Sequence, residues 1–149
     1  MEARSRSWIV RWGALAGMAA GAAFVIKVAY IFALDGGGNE TVTGTLYLSG
    51  IALPLFAGAG IAAYAASGLA GRIGVYLACA FGTVFYISFL SDGVEALVDA
   101  VATVPAYVGE ELPIALAGIV WLVIGYRVWS GSTRSDDRLA RPMVAERQA

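Results

Sequence analysis

Long apolar stretches alternate with short polar segments along the whole chain. A helix that crosses a bilayer needs about 20 mostly apolar residues, and four stretches meet this requirement. They cover residues 8–34, 45–67, 73–90 and 112–129. The pattern predicts an all-α integral membrane protein, with a four-transmembrane-helix bundle over residues 1–129. Pro54 lies inside the second stretch and predicts a kink there.

The first stretch has an alternative interpretation as a cleavable signal peptide. The arginines within residues 1–11 would form its basic region, and the small residues 19–23 would supply its cleavage site. The apolar run, however, continues to Leu34, which is longer than the apolar part of a typical signal peptide. We therefore expect an uncleaved helix.

The segment between the third and fourth stretches has an amphipathic pattern. On a helical wheel, Asp92, Glu95 and Asp99 lie on one face of residues 92–104, and valine and leucine residues lie on the opposite face. This predicts a short amphipathic outer helix that ends before Pro105. Its acidic face can be a solvated surface, a vestibule that collects cations, or a docking surface for a basic partner.

The two ends of the fourth stretch predict a cap and a tail. Glu110, Glu111 and Pro113 suit the first turn of a helix, where carboxylates face the positive end of the helix dipole. We interpret them as a capping motif. Residues 130–149 are polar and charged, and they predict a disordered cytoplasmic tail.

The positive charges predict an orientation in the membrane. Nine arginines lie in three regions of the chain. These regions are the start of the chain up to the beginning of the first stretch, the connection between the second and third stretches, and the part that begins at the end of the fourth stretch. The arginines are Arg4, Arg6, Arg11, Arg72, Arg127, Arg134, Arg138, Arg141 and Arg147. The opposite segments, 35–44 and 91–111, carry acidic residues and neither lysine nor arginine. Because cytoplasmic loops are enriched in lysine and arginine, we expect both termini to be cytoplasmic and the protein to be multi-pass in the cell (plasma) membrane.

Composition supports a membrane protein and excludes several functional classes. Hydrophobic residues make up 59% of the chain and charged residues 14%, whereas soluble domains average about 45–50% and 25%. The net charge of −1 gives no support for nucleic-acid binding. The absence of histidine and the single cysteine, Cys79, leave no metal motif or redox pair. We expect no metal site, no cofactor and no catalytic residues.

Rows of small residues predict where helices approach closely. In lipid, helices associate through small residues rather than through the hydrophobic effect. Three such rows occur at four-residue spacing: Gly13, Gly17 and Gly21; Gly58, Ala62 and Ala66; and Gly74, Ala78 and Gly82. They predict close packing inside the protein, or a face for a homo-oligomer.

Lys27 is the only charged residue well inside a predicted span. It can extend to the outer headgroups, form a static ion pair, or belong to a functional site in a polar outer cavity. The neighbouring alanine and glycine residues favour an inward direction. The ligand or ion-pair candidates are Lys27, Asp35, Asp92, Glu95, Asp99 and Glu110.

Three functions fit this pattern. The leading interpretation is a non-enzymatic assembly, accessory or regulatory component that contacts the lipid bilayer and another membrane protein or a second copy of itself. The alternative is a transporter or channel for a small solute or cation, using inward Lys27 beneath an acidic outer rim. A membrane enzyme with Asp92 and Glu95 as an acid–base pair is less favoured, because both carboxylates are expected to face solvent.

Overall fold

The structure, a computed structural model, describes residues 2–100 and 104–140, and this part of the chain contains helices and no strands. The four helices are α1 (Glu2–Ala33), α2 (Glu40–Ala65), α3 (Leu69–Asp99) and α4 (Ala106–Ala140). Each contains a segment long and apolar enough to cross a membrane: Trp8–Ala33, Glu40–Ala65, Leu69–Val98 and Ala106–Thr133. The predicted all-α class with four long apolar helices is confirmed.

A tight turn connects α1 to α2. Asp35 and Gly36 adopt positive φ angles of 51° and 82°, which reverse the chain after α1. A Cβ atom at Gly36 would lie 2.5 Å from the ring of Tyr107, so glycine is needed there for space as well as for conformation. Asn39 then caps α2, since its Oδ1 accepts hydrogen bonds from the backbone N–H groups of Thr41 (2.9 Å) and Val42 (3.3 Å).

The helix α1 packs closely on both α2 and α4, while α3 contacts the same two helices less extensively. Within the described residues, α1 and α3 do not contact each other. The contacts show that α1 runs antiparallel to its neighbours. Toward α2, Gly13 meets Gly60 and Phe24 meets Gly50; toward α4, Ala14 meets Gly125 and Gly21 meets Gly118.

The three rows of small residues have different surroundings. A Cβ atom at Gly13 would lie 2.5 Å from the Cα of Gly60, and one at Gly21 would lie 2.5 Å from the carbonyl oxygen of Gly118. The α1 row, which includes Gly17, is therefore filled by α2 and α4. Gly58 faces α3, where a Cβ atom would lie 3.0 Å from that of Cys79. On α3, by contrast, Cβ atoms at Gly74 and Gly82 would have nothing within 4 Å.

The core between the helices consists mainly of small and branched apolar side chains. Its largest fully buried side chains are Phe24, Pro54 and Pro113, and α2 is a continuous helix through Pro54. The buried cluster contains Val10, Ala14, Ala20, Phe24, Ala57, Ile61, Ile87, Ile114, Ala117, Trp121 and Val128. Many large apolar residues on all four helices are instead exposed on the outer surface.

The connection between α3 and α4 differs from the sequence-based prediction. Residues 92–99 do not form a separate amphipathic helix; they are the last turns of α3, which continues to Asp99. Acidic side chains favour contact with water or with polar groups, but they do not interrupt the backbone hydrogen bonds of a helix. The helix can therefore continue through this segment. It extends beyond both ends of the predicted third span, 73–90.

The ends of α4 also differ from their predicted positions. The helix begins at Ala106, so Glu110, Glu111 and Pro113 lie inside it and not at its cap. It ends at Ala140, so residues 130–140, which the sequence assigned to a disordered tail, are helical. The remainder of the predicted tail, 141–149, lies outside the described residues. Polar composition alone did not reveal that the helix continues past Trp129.

Candidate functional site

A buried ion pair joins α1 to α4. The Nζ of Lys27 donates a hydrogen bond to Oε1 of Glu111, and the two residues are only 7% and 6% exposed. The same Nζ lies 5.7 Å from the centroid of the Tyr47 ring on α2, within range of a cation–π interaction. Burial of either charge alone is costly, so the pair is stable here because each partner compensates the other.

The packing of small residues explains why these two charges meet. The contacts of Ala14 with Gly125 and of Gly21 with Gly118 set the antiparallel register of α1 and α4. Continuing the same register toward the end of α1 brings Lys27 level with Glu111. At a rise of about 1.5 Å per residue, Lys27 lies about 9 Å below the last residue of α1.

An open cleft of about 370 Å³ lies next to the pair and is lined by residues from all four helices. Lys27, Tyr47 and Glu111 form its deep part, which we call the floor. The part nearer the helix ends, which we call the rim, contains the exposed residues Glu40 and Glu110. The other lining residues are Thr43, Gly44, Ile87 and Ile114.

The cleft carries more negative than positive charge, since three glutamates line it together with a single lysine. One carboxylate oxygen on its floor is also incompletely bonded: within residues 2–100 and 104–140, the buried Oε2 of Glu111 has no hydrogen-bond partner. Among the described residues, no three potential ligands lie close enough together to hold a metal ion. The arrangement can therefore bind a small charged group by hydrogen bonds and electrostatic attraction.

The structure separates the other residues that the sequence singled out. Asp35 lies at the α1–α2 turn, where its Oδ1 accepts a hydrogen bond from the Tyr107 hydroxyl at 3.1 Å. The Tyr107 ring packs edge-on against Phe32, with 5.4 Å between centroids, so these contacts attach the turn to α4. Asp92 is exposed on α3. The side chains of Glu95 and Asp99 lie outside the described part of the structure.

Glu111 is the site residue that the sequence analysis missed as the partner of Lys27. Glu110 was a candidate and does line the cleft, but its neighbour had been assigned to helix capping. A signal for Glu111 is present in the sequence: Gly118 and Gly125, seven residues apart, form a small-residue face on α4. Matching that face to the glycine row of α1 in antiparallel register places Glu111 opposite Lys27.

A second cavity, of about 340 Å³, lies between α3 and α4 and is mostly apolar. Its main polar contact is a hydrogen bond from Trp121 Nε1 to Thr83 Oγ1 at 2.8 Å. Cys79 and Gly82 also line it. Its described lining contains no acidic or basic side chain, so the Lys27–Glu111 cleft is the stronger candidate for a functional site.

The chain matches no protein-family model, no curated protein and no solved structure. A functional proposal therefore depends on the residues and geometry described above. The cleft offers a carboxylate oxygen, a lysine that fixes this carboxylate, and an aromatic ring. These groups are suited to recognition of a small charged molecule.

Proposed function

We propose that this protein is a non-enzymatic, multi-pass integral membrane protein that binds and conducts a small charged solute through the Lys27–Glu111 cleft. Its four helices would form a bundle in the cell membrane, with both termini in the cytoplasm. The observation that carries the proposal is a buried ion pair on the floor of an open cleft. Ionisable residues inside membrane segments commonly belong to solute or ion pathways.

The distribution of apolar and charged side chains supports insertion into a membrane. Phe56, Phe81 and Phe85 on the outer surface are 68–74% exposed, while Lys27 and Glu111 are buried among the helices. This arrangement is the reverse of the one that water favours. It suits lipid, where apolar surface is well solvated and charges are paired inside the protein.

The arginine distribution supports the proposed orientation. Trp8 and Trp12 are exposed at the arginine-rich start of α1, and Tyr126 is exposed near the arginines of α4, as expected for residues at the cytoplasmic interface. The cleft then opens to the extracytoplasmic side. A reporter fused after Ala149 should be active only in the cytoplasm, and one inserted at Gly37 only outside. The opposite pattern would contradict this orientation.

The open cleft supports solute binding over a purely structural ion pair. A pair that serves only to hold two helices together is best sealed from polar surroundings and fully hydrogen-bonded. Here the cleft reaches the pair, and Glu111 keeps one unpaired oxygen. A bound solute supplies the missing hydrogen bond.

Ligand-induced stabilisation tests the proposal, because a ligand that binds only the folded protein raises its thermal stability. Purified protein in mild detergent is screened against amines, zwitterions, carboxylates and neutral polyols. The control is Gly44→Trp, which fills the cleft; a Cβ atom at Gly44 has nothing within 4 Å, so the variant is expected to fold. We expect one charged class to stabilise wild type but not Gly44→Trp, and to cross liposomes that contain wild type. Equal responses for every class would contradict the proposal.

A second candidate function is the assembly or accessory component that the sequence favours. The specific observation is the open row on α3, where Gly74 and Gly82 have no neighbour within 4 Å of a Cβ position and Ala78 is exposed. Ala78 and Gly82 also line the cavity between α3 and α4, and small residues with open space beside them allow another helix to approach closely. Through this row α3 would contact a second copy of the chain or another membrane protein.

Native mass in mild detergent tests this second candidate. We expect a mass above that of the monomer, from a homodimer or a stoichiometric partner, for wild type and a monomeric mass for Gly82→Leu. The matched control is Gly44→Leu, which adds the same side chain to α2 away from the α3 row. A monomeric wild type, or a Gly82→Leu variant with unchanged mass, would contradict the assembly function.

A further inference from the structure

We propose that the Lys27–Glu111 cleft selects a small organic ammonium cation, whose N–H group binds Oε2 of Glu111 and whose carbon atoms contact the apolar wall. This inference rests on the proposed function of the cleft as a solute site and names the chemical class of the solute. It is carried by three properties of the cleft: its charge, the unpaired oxygen on its floor and the composition of its walls.

The charge of the cleft favours a cation over an anion. Glu40 and Glu110 are at the rim, so an entering molecule meets two carboxylates before it reaches the floor. The positive charge of Lys27 is already bonded to Glu111 and lies near the Tyr47 ring. A carboxylate ligand would be repelled at the rim, whereas an ammonium ion is concentrated there.

The floor provides an acceptor of defined position. Lys27 binds Oε1 of Glu111 and so fixes the carboxylate, while Oε2 of the same group is buried and has no partner in the part of the chain that the structure describes. Glu111 is more than nine-tenths buried, and it lines the cleft. A buried acceptor without a hydrogen bond is unfavourable, and an ammonium N–H donor satisfies it with a strong, charge-assisted bond.

The walls favour an organic cation over a metal ion. Among the described residues, no three carboxylate, thiol or imidazole groups converge as metal ligands. Ile87 and Ile114 instead provide apolar surface, and the Tyr47 ring provides an aromatic face that attracts cations. The cleft volume of about 370 Å³ accommodates an ammonium group together with a short carbon chain.

Calorimetry on the full-length protein in detergent tests the selectivity directly. The probes are methylammonium chloride, tetramethylammonium chloride, sodium chloride, sodium acetate and glycine, at constant ionic strength. We expect methylammonium to bind about tenfold or more tightly than each other probe, because only methylammonium combines a net positive charge with N–H donors. The comparison with tetramethylammonium isolates the hydrogen bond, since both carry one positive charge.

Variants then locate the binding site. We expect Glu111→Gln to weaken methylammonium binding by about tenfold or more, because it removes the charged acceptor. Its matched control is Glu110→Gln on the same helix, which removes an exposed, screened charge and should weaken binding by about threefold or less. Gly44→Trp keeps every charge and should abolish binding. This variant and the wild-type selectivity remain decisive if Glu111→Gln does not fold.

The outcomes separate this inference from the proposed function. If acetate or glycine binds wild type and this binding is lost in Gly44→Trp, the cleft remains a solute site. The proposed selectivity for cations is then overturned. Equal affinity for tetramethylammonium or sodium would overturn the hydrogen bond to Glu111 as the basis of selectivity. Glu110→Gln weakening binding as much as Glu111→Gln would overturn the assignment of Oε2. If none of the five probes binds wild type, this inference fails. If the wider solute panel also gives no thermal stabilisation, the proposed function fails as well.

Discussion

Removing one member of the Lys27–Glu111 pair should destabilise the protein much more than removing both. Lys27→Met leaves the Glu111 carboxylate, 6% exposed, without the one hydrogen-bond donor that the described residues offer it. Removing one partner of a buried pair typically costs about 3–5 kcal/mol. Because the cleft gives water some access to the remaining carboxylate, we expect the low end of this range, about 3 kcal/mol of the free energy of unfolding.

The opposite single substitution should have a smaller effect. Glu111→Met leaves the ammonium group of Lys27, whose flexible side chain can turn toward the cleft and keep its contact with the Tyr47 ring. We expect a loss of about 2 kcal/mol. The double variant, Lys27→Met with Glu111→Met, contains no buried charge and should lie within about 1 kcal/mol of wild type.

Unfolding of the purified protein by sodium dodecyl sulfate in mixed micelles, followed by circular dichroism, measures these differences. The matched control is Glu110→Met, one residue away and exposed, which should change stability by about 0.5 kcal/mol or less. Additive losses in the double variant would contradict this prediction, because they would show that the two charges do not compensate each other. Losses below about 1 kcal/mol in both single variants would also refute it.

The other predictions concern helix packing and hydrogen bonds, and the same unfolding assay checks them. Gly13→Ala should cost about 2 kcal/mol or more, since its Cβ would lie 2.5 Å from a backbone atom of α2. Gly74→Ala, with open space at its Cβ, should be neutral or stabilising by about 0.5–1 kcal/mol. Equal effects of Gly13→Ala and Gly74→Ala would contradict the close packing at Gly13 and the open space at Gly74. Trp121→Phe should cost about 1 kcal/mol through loss of its hydrogen bond to Thr83, and the double variant with Thr83→Val should cost little more. Asn39→Ala should cost about 1 kcal/mol by removing the cap of α2, whereas Asn39→Asp should retain most of the stability.

Much of the fold can be predicted from the local pattern of apolar and polar residues. Four apolar stretches predicted four long helices, because the hydropathy of a segment depends only on its own residues. The boundaries were less accurate, as residues 92–99 and 130–140 show: the first segment is amphipathic and the second is polar, and both continue a helix. Helix ends depend on backbone capping and on contacts with other helices, which composition does not report.

The candidate site was only half predictable. Lys27 was evident from the sequence because a charge inside an apolar segment is unusual wherever its partner lies. Its partner could not be identified in the same way, since seven acidic residues, 35, 40, 92, 95, 99, 110 and 111, lie in the two segments expected near the end of α1 where Lys27 is located. Choosing among them requires the relative position of two helices that are far apart in the chain.

The helical class, the four apolar helices and the presence of one lysine within an apolar segment follow from the sequence alone. The pairing of Lys27 with Glu111, the filled glycine row of α1 and the open row of α3 became known from the packing of the helices. This difference arises because the interactions involved act over different ranges. Hydropathy and helix formation act within a segment, whereas ion pairing and close packing depend on the register between helices, which the contacts of Gly21 with Gly118 and of Ala14 with Gly125 establish.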